Sequence, residues 1–402
     1  MIPAASRTIS TPSILDHDLA KRFAELLRFD STRELEASAI YPEIKPEVDR
    51  IMNAVIVEEL VEPPTVDLGD RVAALAWNIE RGCVFEGIVD ALKHHDRLKD
   101  RDLLLLTELD HGMARSGNRF VARELALELG LNYAFAPVYI ALQKGSGVES
   151  DIEGENTLSL HGLALFSKFP IQNVHAVPLP NGKDKMWGKE KRLGYLRALI
   201  ADIDHPAGKF RAVTIHLDAH CSRSHRRLQM KIILDHLDSL PPLPVLLGGD
   251  WNTTTYNSQN ATRAILGYWR RVIMGVKNVV NNHLPHPDRY FERRLFGELE
   301  GRGYDYRSLN EIGVGTLHYD VESMEKNTNL RDWVPAWCFP FIFWAAKRVG
   351  GRVSGRLDWF AGRGIEIAPA SEPETIGELT DDSGTPLSDH DAIALDFIIP
   401  KR

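Results

Sequence analysis

The amino-acid sequence predicts an α+β fold, a sandwich of two sheets with helices on its outer faces. Two observations carry this. Helical periodicity stands before and after two separate groups of short apolar runs, the arrangement expected of packed sheets covered by helices. The signatures of the common alternatives are also missing. No G-x-G-x-x-G follows the first strand, and neither a G-x-S-x-G elbow nor a P-loop occurs.

Bulk properties set the frame. At 402 residues the chain suits one large domain with additions, or two domains. Apolar residues at 44% and charged residues at 26% are ordinary for a soluble globular protein with a sizeable core. A net charge of -8 provides no global basic field, which weakens a long nucleic-acid duplex as substrate without excluding a local basic groove. Cys83, Cys221 and Cys338 form no C-x-x-C, so free thiols and a reducing, cytoplasmic setting are expected, with no zinc site. Residues 1–16 lack an apolar run of signal-peptide length, and nothing approaches the ~20 apolar residues of a membrane span.

Residues 1–70 read as a helical N-terminal extension. Helical spacing marks residues 18–29 (Leu19, Phe23, Leu26, Leu27) and part of 46–60, before Pro63-Pro64 breaks the chain. An arm packed on the main domain and a regulatory or dimerising segment both fit. A second unit then runs over 71–402. Residues 72–77 form a strand, 88–98 a helix, 102–107 a buried strand and 118–129 a helix stopped by Gly130. Strands follow at 162–166, 171–177, 196–203 and 210–215, punctuated by Pro170 and Pro206-Ala207-Gly208. Ser224 is placed to cap a helix reaching Leu240, and Pro241-Pro242 ends it ahead of a strand at 245–247. An insertion over 256–355 is too long for a loop; 261–276 and 289–299 have helical character. It holds a dense aromatic segment at 333–344, and the last strand covers 392–397.

The chemistry-bearing residues cluster where strands end. Asn78-Ile79-Glu80 follows the first strand, and alternation sends Asn78 and Glu80 to one face. Glu108 follows the second strand, and His216 in His216-Leu217-Asp218 ends another. In Gly248-Gly249-Asp250-Trp251-Asn252 the glycines permit a sharp exit, and Asp250 and Asn252 share a side if the backbone stays extended. A carboxylate there can accept a proton from water while the amide orients water or phosphate. Asp358 sits in a late strand, and Leu387-Ser388-Asp389-His390-Asp391 closes the set. An acid beside His390 fixes its tautomer and leaves the other nitrogen for a phosphate. His216 is suited to stabilise a phosphate or protonate a leaving group. Phosphate-ester hydrolysis needs charge neutralisation and an activated water, and hard oxygen ligands suit magnesium or manganese.

In order and strand context, Asn78, Glu80, Glu108, His216, Asp250, Asn252, Asp358, Asp389 and His390 resemble the endonuclease/exonuclease/phosphatase superfamily. The pattern spans about four-fifths of the chain. Lesser matches are His161-Gly162-Leu163-Ala164-Leu165-Phe166-Ser167, and Arg226 with Gln229. The resemblance implies a four-layer α/β/β/α sandwich of two mixed sheets over 71–402. It also implies Mg2+- (or Mn2+-) dependent phosphoester cleavage by direct attack of water. Carried over by motif, Glu108 would bind metal with Asn78, Glu80 and Asp389. Asp250 would activate or align the water and Asn252 would contact phosphate. Asp358 would orient His390 to polarise the phosphate, and His216 would stand on the leaving side. Three departures are visible: Leu163 replaces the usual Asn, Glu80 stands where many relatives have Asp, and the insertion has no counterpart in compact members.

A phosphate ester, most naturally a phosphodiester of nuclease-like or small nucleotide or sugar type, is the substrate implied. Lys191 and Arg192, with Trp187 in the same basic loop, form a candidate substrate-binding set for phosphate or nucleic acid, or else a solvated loop. Residues 333–344 are a candidate peripheral lipid contact, as in a sphingomyelinase-like phospholipase, or core packing of the insertion. A catalytically inactive binding scaffold is the remaining alternative. No obligate protein partner is implied.

Overall fold

The computed structural model describes residues 9–10, 12–64, 69–253, 257, 261–320, 340, 344, 347–348 and 350–400. In chain order the strands are β1 (Ile9–Ser10), β2 (Val55–Glu58), β3 (Arg71–Arg81), β4 (Leu103–His111), β5 (Asn132–Ala141), β6 (Leu160–Ser167), β7 (Ile171–Pro178), β8 (Arg192–Gly194) and β9 (Arg197–Ile203). They continue as β10 (Phe210–His216), β11 (Val245–Asp250), β12 (Leu317–Asp320), β13 (Arg352–Gly355), β14 (Asp358–Arg363), β15 (Glu366–Ile367), β16 (Glu374–Ile376) and β17 (Ala392–Ile398). The helices are α1 (Phe23–Leu26), α2 (Thr32–Glu36), α3 (Tyr41–Asn53), α4 (Phe85–His94), α5 (Val121–Leu129), α6 (Arg223–Ser239), α7 (Ala261–Ile273), α8 (Val276–Asn278) and α9 (Arg293–Glu300).

Ten strands form the larger sheet, in the order β1-β2-β5-β6-β4-β3-β17-β15, with β16 on β17 and β8 on β5. The smaller sheet runs β14-β11-β10-β9-β7, and β12-β13 form a separate hairpin. Both large sheets are mixed. Parallel pairs need a crossover, and α4 carries the chain from β3 to β4 as α6 carries it from β10 to β11.

Apolar alternation shows how the layers stack. Along β3, Val72, Ala74 and Ala76 join the core between the sheets, whereas Leu75, Trp77 and Ile79 face the helical side. In β4, Leu103 and Leu105 go one way, Leu104 and Leu106 the other. A strand covered on both faces reads as a continuous apolar run, which is why 103–106 is all leucine. Ile88 of α4 and Leu125 of α5 close the outer face of the large sheet. On the small sheet's side, Ile233 and Leu237 of α6 and Phe296 and Leu299 of α9 join the core with Trp251 and Trp359.

Several elements differ from the sequence reading. The second N-terminal helix ends at Asn53, and Ile56, Val57 and Glu58 pair with β5 instead, with Val55 beside Ile9 of β1. β-branched residues beside an open strand edge favour that outcome. Ser222, not Ser224, caps α6, accepting from the backbone N–H of His225. Gly130 does end α5, in the left-handed conformation at φ 63°. The insertion is partly built into the sandwich, since α9 lies on α6 with the Arg226 Nε 2.9 Å from Glu292 Oε1. Of the aromatic segment 333–344, Pro340 and Trp344 alone are among the described residues, so the lipid contact expected there lies outside them. Among the described residues no helix is long and apolar enough to cross a membrane.

Candidate active site

Strand ends from both sheets meet at one edge of the sandwich. The large sheet supplies Asn78 and Glu80 from β3, Glu108 from β4, and Asp389 and His390 from the turn into β17. The small sheet supplies His216 and Asp250 from the ends of β10 and β11, and Asp358 from the start of β14. Register does much of the assembly. Parallel pairing sets His216 opposite Asp250, and antiparallel pairing sets Asp250 opposite Asp358.

Backbone irregularities complete the aim. Pairing of β3 with β4 shifts between Asn78 and Arg81, and pairing of β4 with β6 shifts between Thr107 and Leu109. Glu80 (φ 43°) and Glu108 (φ 58°) lie in these bulges, in left-handed conformations that side chains other than glycine seldom adopt. Simple alternation therefore does not hold between Asn78 and Glu80; the Glu80 N–H turns back to donate to Asn78 Oδ1 at 3.1 Å. Asn252 departs from an extended backbone as well, at φ 50°.

The distances tie the two halves together. Asn78 Nδ2 donates to Glu108 Oε1 and to Asp250 Oδ2, each at 3.3 Å. His216 Nε2 lies 3.5 Å from Asp250 Oδ2 and 4.0 Å from Glu108 Oε1. His390 Nδ1 lies 2.8 Å from Asp358 Oδ2, and its Nε2 is 3.9 Å from Asp250 Oδ2. The Asp389 N–H donates to Glu80 Oε2 at 3.1 Å. Asn252 holds Asp250 rather than reaching outward. Its backbone N–H donates to Asp250 Oδ1 at 2.8 Å, and its amide donates to Asp250 Oδ2 at 3.0 Å and Leu217 O at 2.9 Å. Its amide donors are thus engaged, which differs from the phosphate contact expected of it.

Charge follows from burial and neighbours. Burial, with the Asp389 carboxylate beside it, pushes Glu80 up to about 8. Burial opposes ionisation of Glu108 too, but Arg81 and His216 outweigh it and hold this carboxyl well below its usual range. Asp250 is pushed up to about 6 by burial and by Asp358, against the pull of His390. Burial would lower His390, yet Asp358 and Asp250 raise it well above the ordinary imidazole value. The arrangement pairs a carboxylate poised near neutrality with a proton-bearing imidazole.

Whether these residues suit a hard divalent cation follows from their donors. Glu80, Glu108 and Asp389 offer carboxylate oxygens, and the burial and the repulsion from Asp389 that raise Glu80 are both offset by a cation. The donor set fits. By mutual distance the group picked out among the described residues is a different one, Asp250, Asp358 and His390, whose candidate ligand atoms all lie within 4.8 Å of one another. In that trio Asp358 Oδ2 and His390 Nδ1 are already bonded to each other, so it fits a metal less well.

The residues expected to bind substrate have partners of their own within the protein. Lys191 Nζ donates to Leu27 O at 2.9 Å, Phe29 O at 2.7 Å and Asp30 Oδ1 at 2.9 Å, and an ammonium has three N–H donors. Its neighbour Arg192 pairs with Glu190 and lies 5.1 Å from the Tyr139 ring. Trp187 is 53% exposed, with Lys183 Nζ 5.7 Å from its ring. These basic residues fasten the loop to the body of the protein, a use that charge counting does not distinguish from a phosphate clamp.

Supporting residues surround these groups, and of them Thr316 and Arg115 carried no signal in the sequence. Thr316 Oγ1 donates to Asp358 Oδ2 at 2.6 Å, and Ser388 Oγ donates to Asn78 O at 2.6 Å. Behind Glu108, buried Asp110 accepts from Arg115 Nε at 2.7 Å and Nη2 at 3.0 Å, with His161 Nδ1 at 2.7 Å. Leu163 is buried in the core between the sheets, and the polar contact at that strand comes from His161. Gln229 Oε1 accepts from the Asp218 N–H at 3.0 Å, holding the turn after His216.

No curated protein matches the chain by sequence. Among solved structures it is similar to an endonuclease/exonuclease/phosphatase from Beutenbergia cavernae DSM 12333, at 16% identity over 82% of this chain and 72% of that one, TM-score 0.48. It is similar to the human Nocturnin catalytic domain, at 16% identity over 83% and 96%, TM-score 0.43. A 3'-5' exonuclease from Neisseria meningitidis is similar at 13% identity over 81% and 100%, TM-score 0.44. The sequence model of the Endonuclease/Exonuclease/phosphatase family matches residues 75–401, and the chain belongs to that family.

Proposed function

We propose that the protein hydrolyses a phosphodiester by direct attack of water, with magnesium or manganese held by Glu80, Glu108 and Asp389. The observation that supports this best is the pairing of Asp250, raised to about 6, with His390, raised by Asp358, across 3.9 Å. Asp250 accepts the proton of the attacking water, and Asn252 and Asn78 keep its carboxylate aimed. Protonated His390, its ring oriented by Asp358 at Nδ1, donates through Nε2 to a phosphate oxygen. His216 stands beside Asp250 and Glu108 and serves the leaving oxygen. Neutralisation of phosphate charge is the chemistry a divalent cation supplies when bound.

A small phosphodiester suits the chain better than a long nucleic acid. The net charge is -8, and Lys191 and Arg192 are engaged within the protein. The test is hydrolysis of bis-p-nitrophenyl phosphate, single- and double-stranded DNA, RNA and sphingomyelin, with magnesium or manganese and with chelator. At least one should be cleaved in a chelator-sensitive way. Failure of every diester with both cations would leave a binding scaffold as the better reading.

A further inference from the structure

We propose that the outward face of α7 docks on an anionic phospholipid surface. Among the described residues of this helix, Thr262, Arg263, Leu266, Trp269, Arg270 and Ile273 are exposed, while Ile265, Gly267, Arg271 and Val272 are partly covered. Leu266 is 64%, Trp269 46% and Ile273 84% exposed, at the spacing of one helical stripe. Scattered exposed apolar residues are ordinary, but three along one stripe are a coherent face. Arg263 and Arg270 stand three residues before Leu266 and Ile273, along one edge of that stripe.

Charge selects the occupant. Between Asp250 and Asp288 the sequence has Arg263, Arg270, Arg271 and Lys277 and no acidic residue, in a chain of net charge -8. Arg271 turns inward, its guanidinium 4.8 Å from the Phe291 ring, which leaves Arg263 and Arg270 at the outer face. Leucine, isoleucine and tryptophan edged by arginines match the boundary between acyl chains and anionic headgroups. A second copy of this acidic chain would bring its own basic face against the same basic face. The helix starts nine residues after Asn252, so docking would hold the catalytic edge near the bilayer. The corollary that the substrate is a lipid-borne phosphodiester rests on the proposed hydrolysis; docking itself does not.

Co-sedimentation of the full chain with sucrose-loaded vesicles tests this and reads binding without turnover. Equimolar phosphatidylglycerol and phosphatidylcholine should pellet the protein at low salt, and phosphatidylcholine alone should not. Leu266→Ser with Ile273→Ser should lower partitioning ~10-fold or more. Arg263→Gln with Arg270→Gln should lower it about 25-fold, at about five-fold per charge. Both variants should keep the native circular dichroism and turnover of any soluble diester. Independently of these double variants, Trp269→Phe should remove part of the tryptophan emission quenched by brominated phosphatidylglycerol. Failure of the native chain to pellet on anionic vesicles overturns the proposal, as do undiminished pelleting of both double variants or unchanged quenching in Trp269→Phe. A dimer in light scattering that the Leu266/Ile273 variant abolishes, with vesicle binding intact, assigns the face to a second copy and overturns it too.

Discussion

Asp250 receives two bonds from Asn252 and one from Asn78, and faces His216 at 3.5 Å. Replacing it by asparagine keeps the shape and removes the proton acceptor. Asp250→Asn should therefore lower turnover of a scissile diester by at least ~100-fold, and near-normal kcat would refute its role. His390→Ala should be similarly damaging while leaving magnesium affinity by calorimetry unchanged; a large loss of affinity would make His390 a ligand. These two residues were legible because each sits in a contiguous motif, Gly248-Gly249-Asp250-Trp251-Asn252 and Ser388-Asp389-His390. Thr316, which grips Asp358, was not legible, since its bond crosses 42 positions and depends on the tertiary fold. The Lys191 ammonium looked like a phosphate clamp because a positive charge in sequence does not reveal which carbonyls it meets.

Elements carry the support. The bulged end of β4 places Glu108 outward, while Asp110 is buried against Arg115 and His161. Burial opposes ionisation of Asp110, but Arg115 and His161 outweigh it and hold the carboxyl well below its usual range. That contribution is fully present above about pH 4 and is lost as pH falls through the folded value. Asp110→Asn should cost about 3 kcal/mol by leaving Arg115 short of a counter-charge. Its acid unfolding should also be shallower than that of the native chain; equal slopes would exclude the linkage. On the hairpin of β12 and β13, His318 lies 2.7 Å from Asp391, the residue after His390, and 2.6 Å from Ser354. His318→Ala should lower kcat ~10- to 100-fold by misplacing His390, with KM unchanged and partial rescue by His318→Gln. A change confined to KM would place His318 at the substrate instead. The hairpin could not be read from local pattern, because its strands are joined through more than thirty residues. The helical period of α7 was readable, but periodicity does not say which face turns outward.

Across the whole molecule, three of the described carboxyls are held above their ordinary values: Glu292, buried against Arg226, and at the catalytic edge Glu80 at about 8 and Asp250 at about 6. A carboxyl raised in the folded state costs nothing below its unfolded value near 4. It destabilises progressively as pH rises toward the folded value. Chelator-treated protein should thus lose thermal stability between about pH 4 and pH 8. Magnesium should raise the melting temperature more at pH 8 than at pH 5. Indifference to magnesium at both pH values would contradict a carboxylate-held cation. The two-sheet sandwich was legible because buried strands write themselves as apolar runs between glycine and proline. The share of the N-terminal segment in the large sheet was not, since pairing of β2 with β5 joins residues far apart in the chain.

That pairing has a practical consequence. Val57 lies against Ala134 and Ile56 against Phe135 along β5, while Lys191 and Asp184 fasten the loop before β8 to Phe29 and Thr32. Cutting the gene back to the segment that matches the family would peel away this border. A row of bare amides and carbonyls flanked by aromatic side chains would be laid open, an invitation to intermolecular zippering during expression.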